Sequence, residues 1–474
     1  MKLKILYNYK NNRDFFIFFI ILVFFFLSIN TKVFDILNFF TLKLSYISLI
    51  NFVRSISPGI ALIFLIIFLI KKKIHFIKNI KKELILLYFI SFIIFQIIGS
   101  LNYKVSPLSF FSLIEAQNFT GFFSILEKYY YLINLTSVIL FFFIVSIKFD
   151  QYQFKILFFA SIIIIFFVYF PLALLAFKYY LFSTDYSAYW NPITSPENNI
   201  LNQSVPRVTG LSRSLMIIYI VGLTFLVSKN RSLSNSAFNL GIFLALVIAT
   251  ILWSFQSRFS SYSFLIFSVL IILNSNLKKL KKIILILIMC ILPILFFLSI
   301  SVIKSSQLLI KKKDALPVLS EIEMDKLISQ NRVVEVSTSG RLIIWKTILI
   351  LSKESLIFGY GSQSDRMLLR SNDRDQDNAS SGLFYALLCG GIAGLITYIL
   401  ISTEIIKIIY KSITSKFIFK KNEFIYKSSF YLLVFILLRS LVENSFMIFS
   451  LDNLIMFVSF YLLKKKLIFF NSKK

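Results

Sequence analysis

Cysteine, histidine and acidic residues are all scarce in this chain. The two cysteines, Cys290 and Cys389, both lie in apolar stretches. That excludes a disulfide framework and a cysteine-based metal site. The single histidine, His75, sits in a lysine-rich loop, where an imidazole is solvated far more often than it is a ligand or a catalyst. Charged residues make up 15% of the 474 positions, too few for an ordinary soluble enzyme. No internal repeat or low-complexity tract stands out.

Apolar residues fill the space. They account for 58% of the chain, and aromatics alone for 17%. Runs such as 15–29, 60–70, 156–170 and 283–301 are too long and too frequent for one soluble core. A helix needs about 20 apolar residues to cross the hydrocarbon layer, and about a dozen segments approach that. The composition therefore predicts an all-α, polytopic transmembrane helix bundle forming one integral membrane domain over residues 1–474. The formal net charge of +29 reads as membrane orientation and not as nucleic-acid binding, because the lysines sit in short loops between apolar runs. The basic N-terminus followed by 15–29 resembles a signal peptide, but no small-residue cleavage site follows it, so the expectation is a retained first helix.

The expected spans are roughly 15–34, 46–70, 84–101, 130–147, 156–177, 213–228, 237–255, 259–273, 283–303, 382–402, 425–441 and 446–463. With the N-terminus inside, the basic loops 71–82 and 274–282 and the tail Lys464–Lys466 fall on one side. This satisfies the positive-inside rule and predicts about 12 spans with both termini cytoplasmic. The opposite side carries medium loops at 102–129 and 178–212 and a large one at 304–381, just before span 10. A loop that long usually has a function or its own structure.

Within that loop, Ser337-Thr338-Ser339-Gly340 supplies helix N-cap hydroxyls, and Gly359-Tyr360-Gly361 supplies a stop. The segment between them predicts an amphipathic helix with Arg341 and Trp345 on one face, lying along the membrane surface or against the bundle. Its bland reading is a packing helix with a snorkelling arginine. Cations at the outer span ends are mostly arginines: Arg207, Arg213, Arg258 and Arg439. A guanidinium fork clamps phosphate oxygens bidentately. For Arg439 the alternative is a local pair, since Glu443 follows at i+4. For Arg258 no local acidic partner exists. The carboxylates nearest these landmarks are Glu335, Asp365, Asp373, Asp375 and Asp377 in the loop, and Glu443 near the end.

These landmarks resemble a family. Ser339-Gly340-Arg341-Leu342-Ile343-Ile344-Trp345 with Phe358-Gly359-Tyr360-Gly361 resembles the loop of the O-antigen ligase and polymerase superfamily. Gly391-Ile392-Ala393-Gly394, Arg207-Val208-Thr209-Gly210-Leu211, Ser257-Arg258 and Leu438-Arg439-Ser440-Leu441-Val442-Glu443-Asn444 also look like its landmarks, in its order, across roughly 200–460. The first half of the chain matches in topology alone. The resemblance implies a glycosyltransferase C-like bundle in the bacterial inner membrane, acting on undecaprenyl-pyrophosphate-linked glycans at the periplasmic face. Ligases of the superfamily carry a His-Asn/Ser/Gln pair, then nine variable residues, then Gly-x-x-Gly. Here Ser380-Ser381 stand at that place, which favours a polymerase over a ligase. The Arg-x10-Gly pattern of some polymerases is also missing from the outer loops.

The expectation that follows is metal-independent transfer without a cofactor. Arg258 and Arg341 hold the donor pyrophosphate, and Glu443 or Asp377 accepts the proton of the acceptor hydroxyl. Arg207, Arg439, Trp345, Gly391 and Gly394 complete the substrate site. Membrane lipids and a chain-length regulator are further candidate partners, and nucleic acid is not one. A lipid-linked oligosaccharide flippase is the rival from another class, and it predicts ionisable residues lining a path mid-span.

Overall fold

The computed structural model describes residues 17–18, 20–21, 46–73, 80–81, 83–102, 121–182, 208–229, 232–255, 257–314, 341–365, 368–369, 379–415, 423–448 and 450–471. Every regular element among them is a helix. In chain order these are α1 (Tyr46–Lys71), α2 (Leu84–Asn102), α3 (Gly121–Lys148), α4 (Gln151–Phe182), α5 (Val208–Lys229), α6 (Asn235–Ser254), α7 (Arg258–Leu273), α8 (Lys279–Asp314), α9 (Arg341–Leu351), α10 (Gly382–Thr414), α11 (Phe424–Val442), α12 (Ser445–Ile448) and α13 (Ser450–Asn471). Eight of the described helices are long and apolar enough to cross a membrane, and Pro58–Lys71 and Phe259–Leu273 are shorter apolar helices. The chain is thus an all-α polytopic membrane protein. The expected first span, 15–34, lies almost wholly outside the described residues.

The helices sort into two compact units. One comprises residues 162–337 and 416–431. In it α5 packs on α6 and α7, and α8 packs on both of those. Tyr219 of α5 bonds Ser268 of α7 through their hydroxyls at 2.7 Å and lays its ring 4.8 Å from Phe264. Asn274 donates to the Tyr431 hydroxyl at 3.1 Å. Arg213, an outer-side arginine in the sequence, is buried in the first turns of α5. α8 runs to Asp314, about ten turns from its basic start at 3.6 residues per turn, so the helix continues about three turns past the expected boundary at 303.

The other unit comprises residues 1–161, 338–415 and 432–474. α3 packs on α1, α2 and α13, while α10 packs on α2, α9, α12 and α13. Aromatic rings fill the seam between helices. Phe142 stacks on Phe457 at 5.0 Å, Phe89 meets Phe457 at 5.2 Å, and Tyr398 stacks on Phe446 at 5.6 Å. Large, rigid rings like these fill such a seam at little conformational cost. At the lysine-rich end, Lys464 pairs with Glu83 at 2.7 Å and the Tyr461 hydroxyl donates to the same carboxylate at 2.9 Å. That ties the start of α2 to the last turns of α13.

α10 departs from the expected single span over 382–402. Gly391 breaks the helix with φ 63 and ψ −158. Positive φ is open to glycine and strained for other residues. The two arms fold back on each other at the break. A Cβ added to Gly394 would stand 2.6 Å from the Ala386 carbonyl oxygen, and one on Gly382 would stand 3.2 Å from the Tyr398 ring. In a continuous helix those pairs would be about 12 and 24 Å apart. The arm 392–414 is therefore the spanning one, and 382–390 is a short helix lying along it.

A break leaves the last carbonyls of one arm and the first N–H groups of the next without helical partners. The segment behind α9 supplies both. Tyr360 and Gly361 N–H donate to the Leu388 and Cys389 carbonyls, each at 2.9 Å. The Leu356 and Ile357 carbonyls accept from Ile392 and Ala393 at 2.8 and 3.1 Å. This four-bond clip explains why α9 ends at Leu351 and not at the predicted stop near Gly359: the backbone beyond it is spent on α10.

Candidate active site

Five separate stretches of the larger unit meet at the start of α10. Asp365 is buried, and its Oδ2 accepts from the Ala379 N–H at 3.0 Å and from the Asn444 amide at 3.2 Å. The other end of that amide, Oδ1, accepts from the Ser381 N–H at 2.8 Å. Asn444 thus ties the loop after α9, the N-cap of α10 and the end of α11 together. Short backbone-binding side chains are favoured at helix starts for this reason.

Beside it lies a charged cluster. Arg439, 2% exposed, donates from Nη1 to Asp452 at 2.6 Å and to the Ser445 hydroxyl at 3.2 Å, and from Nη2 to Glu443. The Ser445 hydroxyl also donates to Asp452. Asp452 is fully buried, while the Glu443 side chain keeps 17% of its exposure. Glu443 is therefore the most accessible carboxylate of the cluster. Arg439 is held between two carboxylates and fixes their position. Deeper in the unit, the Tyr385 hydroxyl faces Gln96 at 3.4 Å and the Ser364 hydroxyl donates to Cys389 at 3.3 Å. Tyr131 donates to the Met447 carbonyl.

The structure brings some of the sequence-predicted residues together. The Arg439–Glu443 pair forms as its i+4 spacing suggests. Arg341 opens α9, is half-buried and pairs with no carboxylate among the described residues. Trp345 stacks on Phe384 of α10, with ring centroids 5.0 Å apart, so this face of α9 rests on the short arm. Gly391 and Gly394 lie where backbone meets backbone. A Cβ on Gly391 would collide with Ile357 and Phe358, and one on Gly359 would stand 2.6 Å from the Gly391 nitrogen. The Gly-rich landmarks thus build the clip that holds α9 on α10. Tyr360 of the clip donates to the Leu351 carbonyl at 2.8 Å and to Glu354 at 3.3 Å. Burial, with Glu354 beside it, pushes its pKa up to about 12.

Other predicted positions fall elsewhere. Arg207 and Asp377 lie outside the described residues, as do the loop residues Glu335, Asp373 and Asp375. Arg258 is the first residue of α7, and its side chain lies outside the described residues. Two members of the cluster had no role assigned from the sequence. Asn444 stands in a landmark, but an amide gives no sign of what it bridges. Asp452 had a usable signal: a carboxylate inside an apolar run requires a partner, and Arg439 is that partner.

Residues 207–399 match the family model described as O-Antigen ligase. Over that stretch the chain is similar to the O-antigen ligase/polymerase superfamily. The match takes in Arg341, Trp345, the clip and the break at Gly391, and it ends before the Arg439 cluster. A search of curated proteins finds no match. The family is one of glycosyl transfer in polysaccharide assembly.

Proposed function

We propose that the protein is a polysaccharide polymerase of the bacterial inner membrane, with both termini cytoplasmic. It moves a growing glycan from undecaprenyl pyrophosphate onto the next lipid-linked repeat unit at the periplasmic face. The observation that carries the choice of polymerase is the serine pair at the start of α10. Where ligases of the superfamily place a histidine, this chain has Ser380-Ser381, and the Ser381 backbone N–H is bound by Asn444. The position serves as a helix cap here and offers no imidazole.

The chemistry breaks the bond between the anomeric carbon and the pyrophosphate oxygen and forms one to the acceptor hydroxyl oxygen. The hydroxyl proton leaves to a carboxylate, and polyprenyl pyrophosphate departs. Two charges have to be managed. Arg341, half-buried and unclaimed by any described carboxylate, steadies the departing diphosphate, with Arg258 and Arg207 as the further cations. Arginines carry here the charge stabilisation that other transferases give to a metal. Fixed donors of this kind are typically worth about 10²–10³ in rate each. Glu443 accepts the proton, since it is the most accessible member of a cluster that Arg439 and Asp452 hold in place, and Asp377 is the other carboxylate candidate. A general base must stand within hydrogen-bond reach of the proton it takes, and partial exposure is a precondition for that.

The family description itself favours a second reading, a ligase that hands the glycan to lipid A–core. The two part in cells lacking this gene. A missing polymerase leaves core capped with a single repeat, and this is the result expected. Full-length chains accumulating on the carrier lipid would overturn the polymerase reading and support the ligase.

A further inference from the structure

We propose that α9 and the clip behind it are seated in the bilayer interface, with lipid acyl chains covering the outward face of the helix, and do not stand in water as part of an extramembrane loop. The first observation is the face itself. Ile344 and Ile348 are buried toward α10, whereas Leu342, Ile343, Leu349 and Ile350 are 57%, 63%, 51% and 57% exposed. Helical spacing puts all four on one side. Lys346 is exposed in the middle of that side, and Lys353 is exposed just past the end of the helix. Aliphatic residues around two lysines suit a surface whose apolar stems sink into acyl chains while the ammonium groups reach headgroup phosphates. Facing water, the same surface would hold four large aliphatics in solvent for no return.

The second observation is the level at which the segment sits. α2 is apolar from Leu84 to Leu101 and is long enough to cross the membrane. Its last turn touches the clip: a Cβ on Gly99 would collide with the Phe358 carbonyl, and one on Gly361 with Ser100. The clip therefore lies where α2 reaches the membrane boundary, about 26 Å along the helix from Glu83 by the α-helical rise.

Continuity is the third. Leu356 and Ile357, 49% and 63% exposed, are joined by backbone bonds to Ile392 and Ala393. On the spanning arm Ile392, Ile396 and Ile399 are 42%, 52% and 50% exposed. The apolar strip that meets lipid along that arm thus runs on through the clip toward α9. The clip also satisfies its own backbone against the broken helix. Non-helical backbone at membrane depth has to be satisfied by protein, and a water-exposed loop has no such need.

This inference is independent of the reaction, and its test needs no turnover. The full chain, in a Cys290→Ser/Cys389→Ser background, carries a nitroxide at Ile343→Cys, Ile350→Cys or Ile357→Cys in phosphatidylcholine–phosphatidylglycerol vesicles. Ile396→Cys serves as the lipid reference and Ser232→Cys as the water reference. The three sites are expected to match Ile396, with collision rates several-fold higher for oxygen than for a water-soluble nickel chelate. Preference for the chelate, as at Ser232, overturns the proposal. Poor access to both reagents overturns it too, since the face would then be covered by protein. Should the double-serine background fail to fold, Leu349→Trp in a Trp190→Phe/Trp253→Phe/Trp345→Phe chain replaces the labels, since Leu349 lies on the outward face. Quenching by lipids brominated near the headgroup is expected to be several-fold stronger than by lipids brominated near the chain ends. Fluorescence of the Leu349→Trp chain indifferent to both lipids contradicts the proposal.

Discussion

Gly394 lies against Ala386, eight residues earlier in the chain, closely enough that a Cβ would stand 2.6 Å from the Ala386 carbonyl oxygen. This contact defines the architecture around the candidate site. It requires α10 to fold back at Gly391, which in turn requires the four-bond clip from the segment behind α9. The clip holds α9 on α10 and so sets where Arg341 and Trp345 stand.

The break should therefore resist any side chain. Gly391→Ala puts an alanine at φ 63 and drives its Cβ into the backbone of Ile357. Positive φ costs about 1–3 kcal/mol and overpacking about 1–3 more. Thermal unfolding in detergent should show a large loss. Gly222, with nothing within 4 Å of its Cβ position, is the control. Gly222→Ala should be neutral or stabilising by up to about 1 kcal/mol.

Arg439 and Asp452 form a buried pair, and its members should respond unequally to single and double changes. Arg439→Met or Asp452→Asn alone leaves the other charge buried and should cost about 3–5 kcal/mol. The double change Arg439→Met/Asp452→Leu should recover much of that stability. It should not recover polymer formation, because Glu443 loses the cation that holds it. Full activity in the double variant would show that the cluster is only structural.

Asn444→Ala removes both ends of the bridge between Asp365 and Ser381. Each buried group left without its partner costs about 1–3 kcal/mol. The expected result is a lower unfolding temperature and a start of α10 that exchanges its amide hydrogens faster. Unchanged protection at Ser381–Tyr385 would contradict the bridging role.

Arg341 should behave in the opposite way. It is half-buried and has no described carboxylate partner, so Arg341→Ala should leave stability within about 0.5 kcal/mol. The rate of chain growth should fall by about 10²–10³. Arg341→Lys keeps the charge but not the fork, and should recover only part of the rate.

How much of this could be read in the sequence depends on how local the cause is. The spans at 84–101, 213–228 and 425–441 fall on α2, α5 and α11 because an unbroken apolar run is a local signal. The Arg439–Glu443 pair was legible from i+4 spacing, and Arg341 was legible as a helix start. Gly391 is part of a sequence motif, yet the run around it reads as one continuous span. Hydropathy carries no information on φ, and the partners that satisfy the break, residues 356–361, lie some 30 positions away. The Asp365–Asn444–Ser381 bridge was hidden for the same reason: its three members are far apart in sequence and meet only because α10 folds back.

The most direct test of the central claim is chain growth by the purified protein in lipid nanodiscs, with a polyprenyl-pyrophosphate-linked repeat unit as the sole glycan. The account predicts a ladder of two or more repeats together with released polyprenyl pyrophosphate, both lost in Arg341→Ala. No ladder from the lipid-linked unit alone, with transfer beginning only when lipid A–core is added, would contradict it.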